Sequence, residues 1–150
     1  MNKFFLYIPT LGLIGYLPAP GTAATLATIP LVILAHAYLA YPLYVALCIA
    51  IFGIGILSIK TTAHHFDIAN DPSCIVIDEV AGCMVTFACL PLNVPVIVLG
   101  FVLFRLFDIY KLGFIKKCES LPGAWGIMVD DLAAGILANI VLQILTPFLV

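Results

Sequence analysis

The chain has 150 residues, 64% of them hydrophobic and 9% charged, with a mean hydropathy of +1.23. A soluble domain carries about 25% charged residues, so this composition excludes a solvated globule. A net charge of −2 with no basic patch excludes nucleic acid as a partner, and the length allows a single domain, 1–150.

Lys3 is followed by an apolar run that looks like a secretory leader. Pro9, Pro18 and Pro20 interrupt it, and no small-x-small cleavage site follows, so the segment is expected to be retained. Gly12, Gly15, Pro18, Pro20 and Gly21 then lead into Thr22, which is expected to cap the first helix. A Gly/Pro-rich entry to a helix N-terminus can present backbone N–H groups to an anion.

A bilayer core of about 30 Å needs roughly 20 helical residues. Residues 22–39 and 43–59 each supply one such run, joined by the link 40–42. Residues 80–92 and 94–104 flank a turn carrying Pro91 and Pro95, and residues 132–150 close the chain. The predicted fold is an all-α integral membrane protein, a small bundle of about five transmembrane spans. The 80–92 run has only 13 residues, about 20 Å of helix. It and the 94–104 run must therefore continue as helix through their charged neighbours. With five crossings, Lys3, Lys60, Arg105, Lys111, Lys116 and Lys117 all fall on one side, which is then cytoplasmic, giving an N-in/C-out topology.

The charges are clustered. Asp78 and Glu79 form one acidic pair and Asp130 and Asp131 another, each predicted to open an apolar helix. A single acid suffices to cap a helix dipole; two doubled pairs on one face suit a hard divalent cation such as Mg2+. Gly82 and Gly135 follow Asp78 and Asp131 at i+4, on the same helix face. Small residues there let two helices approach closely and bring both pairs to one site. Arg105, Asp108 and Lys111, spaced i, i+3, i+6, predict a phosphate clamp on one helix face, the plainer alternative being an ion pair at a span end. His36 reads as a packing residue, and His64 and His65 as loop residues. Cys48, Cys74, Cys83, Cys89 and Cys118 show neither metal spacing nor a disulfide framework.

Residues 15–22 (GYLPAPGT), Asp71-Pro72, 75–82 (IVIDEVAG), 105–111 (RLFDIYK) and 126–135 (GIMVDDLAAG) occur in the order and spacing of the phosphatidylglycerophosphatase A family, which the chain resembles along nearly its whole length. The resemblance implies a small Mg2+-dependent enzyme of the bacterial inner membrane. Its reaction would remove the terminal phosphate of phosphatidylglycerophosphate at the cytoplasmic face, with a phospholipid and the bilayer as partners. It implies metal binding by Asp78, Glu79, Asp130 and Asp131. Arg105 and Lys111 would hold the phosphate beside Gly21 and Thr22, Asp108 would orient them or join the metal shell, and Asp71 would complete the shell or act as acid/base. The chain departs from the family pattern at Ala24-Thr25, at 112–114 (LGF) and at Gly123-Ala124, but every charged motif residue is present. The alternative is a small ion carrier or channel component with an acidic cation site. A carrier places its acids near mid-span, whereas these cluster at one end.

Overall fold

The computed structural model describes residues 6–65 and 72–148. Among these residues the chain is helical, without a strand. In chain order the helices are α1 (Pro20–Tyr38), α2 (Tyr41–Thr62), α3 (Ile77–Thr86), α4 (Val94–Tyr110), α5 (Phe114–Glu119) and α6 (Ala124–Leu145). Three are long and apolar enough to cross a membrane: α1, α2 and α6 extended to Phe148. Their outward faces carry Leu26, Leu34, Ile49, Leu57, Ile136 and Ile144, all exposed. A helix apolar on every side is not a surface helix in water.

At the centre lies α3. All of its residues except Glu79 and Val85 are buried, between α1, α2, α4 and α6. Its closest approach is to α6, where a Cβ on Gly135 would overlap the Gly82 carbonyl and a Cβ on Gly82 would sit 2.6 Å from the Asp131 carbonyl. The glycine pair expected at i+4 from the acids is therefore the point of backbone contact between the two helices.

Three element boundaries differ from those read in the sequence. Helix α3 does start ahead of its acids, but it stops at Thr86 rather than near Leu92. Ten residues make only about 15 Å of helix, so α3 crosses no bilayer by helical length alone. Helix α4 runs through Arg105 and Asp108 as expected, opened by Asn93, whose Oδ1 accepts from the Val96 N–H at 2.8 Å. Helix α6 begins at Ala124, ahead of the Asp130–Asp131 pair that was expected to open it. The break belongs to Gly123, at φ +61°, a conformation that favours glycine. Helix α1 starts at Pro20 with Ala19 as its cap, so Thr22 lies inside the first turn and does not cap it.

The early stop of α3 leaves carbonyls without helical partners, and neighbours supply them. The Tyr44 hydroxyl donates to Met84 O at 2.6 Å, and the Ala88 N–H donates to Val85 O at 3.1 Å. Asn139 Nδ2 donates to Thr86 O at 2.9 Å and to Ala88 O at 2.7 Å. His36 presents Nε2 to Phe87 O at 3.1 Å. At the other end, the Val76 and Ile77 N–H groups donate to Pro9 O at 2.8 and 3.2 Å. The N-terminal segment thus ties down the start of the helix that carries Asp78 and Glu79.

Asn139→Leu removes the donor for two of these carbonyls. The expected loss is about 1–3 kcal/mol, the cost of a buried polar group left unpaired. Thermal unfolding in detergent measures it; an unchanged midpoint shows that these bonds do not hold α3 in place.

Candidate active site

The acidic pairs and the basic residues meet at one end of the bundle, around a cavity of about 330 Å³. Its walls are the start of α1 (Ala19 to Thr22), the start of α3 (Asp78, Glu79), the end of α4 (Arg105, Asp108, Ile109), Lys111, and Asp130 and Asp131 of α6, with Ser73 and Ile75 at the rim. Five carboxylates face two cations there. Like charges packed together destabilise one another unless a counter-cation is present.

Three of the acids converge. Donor oxygens of Asp78, Glu79 and Asp131 lie within 4.8 Å of one another. Asp78 and Asp131 are 7% and 4% exposed, so solvent does little to screen them. Glu79 Oε2 and Asp131 Oδ2 are buried without a hydrogen-bond partner. Buried carboxylate oxygens are costly when unpaired, and a cluster of them fits a hard divalent cation that takes oxygen ligands. Asp130 is placed differently. Its Oδ2 accepts from Lys111 Nζ at 2.7 Å and its Oδ1 accepts from the Asp131 N–H at 2.9 Å. Both acids of this pair sit in the second turn of α6, not at its first residues, because the helix starts at Ala124.

The cations hold distinct positions. Arg105 Nη1 lies 2.6 Å from Asp108 Oδ2 and 3.8 Å from Glu79 Oε1. Its Nε is buried with no hydrogen-bond partner. A fixed guanidinium with a spare donor is suited to a phosphate oxygen. Lys111 does not continue the α4 face as the i, i+6 spacing predicts. It is the residue that ends the helix, at φ +44° in the left-handed region. That turn brings its ammonium to Asp130 and also to Glu119 Oε1, at 2.8 Å. Burial opposes the charge on Lys111, but the hydrogen bonds to Asp130 and Glu119 outweigh it and keep its pKa above the ordinary lysine value.

Gly21 is a site residue for a steric reason. A Cβ there would overlap Glu79 Oε1 and press on both Nη atoms of Arg105. Thr22 lines the cavity one residue on. Asp71 lies outside the described residues. Glu119 was not singled out from the sequence. It reaches Lys111 across the α4–α5 turn, and no periodic spacing signals that contact.

Comparisons with known proteins find relatives along most of the chain. A family model described as phosphatidylglycerophosphatase A matches residues 7–146. A phosphatidylglycerophosphatase A of Escherichia coli K12 is 34% identical over 121 residues, 79% of this chain and 69% of that protein. The Haemophilus influenzae phosphatidylglycerophosphatase A is 37% identical over 127 residues, 83% of this chain and 77% of that protein. A Bacteroides thetaiotaomicron protein provisionally named a phosphatidylinositol-3-phosphatase is 35% identical over 78 residues, so the match spans about half of each chain. No solved structure matches. Among the described residues the protein is a helical bundle with three helices apolar enough to cross a membrane, and the family match makes it a phosphatase. The chain belongs to the phosphatidylglycerophosphatase A family.

Gly21→Ala is expected to displace Glu79 and Arg105 together while leaving the helices assembled. Phosphate release should fall roughly tenfold or more, a loss of about 1.4 kcal/mol in transition-state stabilisation. A normal rate from a normally folded variant would show that the cavity tolerates a methyl group there and that Gly21 is not constrained.

Proposed function

We propose that this protein hydrolyses phosphatidylglycerophosphate to phosphatidylglycerol and inorganic phosphate, as a single membrane-embedded domain that depends on Mg2+. The observation that carries this reading is the convergence of Asp78, Glu79 and Asp131 beside Arg105, whose Nε has no hydrogen-bond partner, in one cavity at the end of apolar helices. The names of the Escherichia coli and Haemophilus influenzae relatives support the substrate.

Asp78, Glu79 and Asp131 would hold the cation. When bound it supplies charge neutralisation at the phosphoryl oxygens and polarises the phosphorus toward attack. Arg105 would bind two phosphate oxygens through its planar fork, with Asp108 holding the guanidinium in place. The Gly21 and Thr22 N–H groups are in the first turn of α1, where no intrahelical acceptor exists. They offer further donors to a phosphate beside the helix N-terminus. Asp130 would fix Lys111 at the cavity rim. Asp71 is proposed as the acid/base or as an outer ligand of the cation. Attack in line with the leaving alcohol then needs positioning and charge compensation more than covalent chemistry.

The proposed topology has five crossings, N-in and C-out, in the bacterial inner membrane, with the cavity at the cytoplasmic headgroup level. Helices α1, α2 and α6 supply three. Helix α4, with 17 residues, supplies a fourth. Helix α3 with the following segment 87–93 supplies the fifth, since it must return to the start of α4 from the end that α4 later reaches at Asp108. The ion-carrier alternative is disfavoured because the acids lie together at one end of the bundle.

The deciding experiment is phosphate release from phosphatidylglycerophosphate in detergent with and without Mg2+, with phosphatidylinositol 3-phosphate as a second substrate. Asp78→Asn, Glu79→Gln and Asp131→Asn are each expected to lower the rate roughly a hundredfold, about 2.7 kcal/mol. Full rates in these variants at saturating Mg2+ would remove the cation from the mechanism, and preference for the inositol lipid would replace the substrate.

Topology is tested separately with reporter fusions after Pro42, within residues 60–65 and after Val150. The expected readings are outside, inside and outside. A C-terminus on the inside contradicts the odd number of crossings.

A further inference from the structure

A second cavity, of about 310 Å³, lies between α1 and α4, lined by Leu26, Ile29 and Pro30 on one side and Ile97, Val98 and Phe101 on the other. No polar side chain contributes to it. Its position relative to the phosphate cavity is regular. Leu26, Ile29 and Pro30 come four, seven and eight residues after Thr22, and Phe101, Val98 and Ile97 come four, seven and eight residues before Arg105. Offsets of four, seven and eight keep to one face of a helix. Each helix therefore presents a polar residue to the first cavity and three apolar residues to the second along the same face. At 1.5 Å per residue, the groove begins about 6 Å below the phosphate site and extends to about 12 Å on both walls.

Resting on the phosphatase reading, we propose that this groove is the subsite for one acyl chain of the phospholipid substrate. A phosphate held between Thr22 and Arg105 places its glycerol backbone at the head of the gap between α1 and α4. The chain that descends from it meets only apolar side chains there. The gap between α3 and α6 offers no such path, because Gly82 and Gly135 bring these helices into backbone contact. Helices α1 and α4 pack against each other far less than α3 and α6 do, which leaves room for the chain. Hydrocarbon is the ligand whose chemistry matches the lining, and the two helix faces that run from Thr22 and Arg105 down to the groove assign it to the substrate, not to bulk lipid.

The test fills the groove with Ile29→Trp and, separately, Val98→Trp. Two substrates are compared in detergent with Mg2+: dipalmitoyl phosphatidylglycerophosphate and its deacylated headgroup, which retains the phosphate monoester. The expected result is a fivefold or larger rise in KM for the dipalmitoyl lipid with kcat/KM for the headgroup unchanged. Ile49→Trp, on an exposed face of α2, should match the unsubstituted protein on both. Unchanged KM for the lipid overturns the proposal, as does an equal loss on both substrates, which locates the effect in the polar cavity. Photolabelling of the unsubstituted protein separates this inference from the phosphatase reading. Phosphatidylglycerophosphate with a diazirine in one acyl chain should label peptides spanning 26–30 and 97–101 more strongly than diazirine phosphatidylcholine. Equal labelling by the two lipids overturns the groove even where hydrolysis proceeds. Preferential labelling without hydrolysis keeps the groove and sinks the phosphatase reading.

Discussion

The site depends on a ten-residue helix being held at one depth. Helix α3 carries Asp78 and Glu79 at its start, and its position is set at both ends by hydrogen bonds to other parts of the chain. Pro9 O accepts from Val76 and Ile77 at the beginning. Tyr44, Asn139 and His36, from α2, α6 and α1, meet the carbonyls at the end. In an apolar interior no water replaces a missing partner, and each buried unpaired group costs about 1–3 kcal/mol. A short helix there is stable only if the surrounding helices complete it. The same requirement fixes its register, because sliding α3 by one residue would unpair most of these groups at once.

That register has a consequence for charge. Gly82 and Gly135 allow α3 and α6 to touch through their backbones, and the acids one turn away on each helix are drawn together. Buried carboxylates in contact oppose folding, so the glycine contact and the acid cluster pull in opposite directions. The packing of α3 wins because its carbonyl end and its apolar face are both satisfied. Among the described residues, the buried side-chain atoms without hydrogen-bond partners are oxygens of Glu79 and Asp131 and nitrogens of Arg105, all at this cavity. This is the arrangement expected where a ligand completes a site that the fold leaves unfinished.

Much of this was legible in the chain itself. The clustering of charge, the helical continuation of α4 through Arg105 and the Gly82–Gly135 approach all follow from local spacing, since i+4 relations are set by the helix alone. What could not be read was long-range. His36, Tyr44 and Asn139 pair with residues 40 to 53 positions away, and no periodicity encodes such a contact. The early start of α6 is not legible because the charge at Asp130 and Asp131 reads as the opening of the helix. The conformation of Gly123 is what begins the helix, and the acids ride two turns inside it. The position of Lys111 was misjudged for a related reason: a residue that terminates a helix in the left-handed region leaves the helical face.

The two cations in the cavity then do different work. Lys111 is committed to Asp130 and Glu119, which ties the α4–α5 turn to the second turn of α6 and compensates the one acid of the two pairs that stands outside the carboxylate trio. A flexible, compact ammonium serves that bridging role well. Arg105 is paired at one side by Asp108 and has a buried Nε with nothing to bind. Its rigid fork is pre-set for a planar pair of phosphate oxygens. The bond from Lys111 compensates the charge of Asp130 beside the trio. On the proposed reading, separating a bridging lysine from an arginine with a spare donor would let one small cavity hold acids for a cation and still admit an anion.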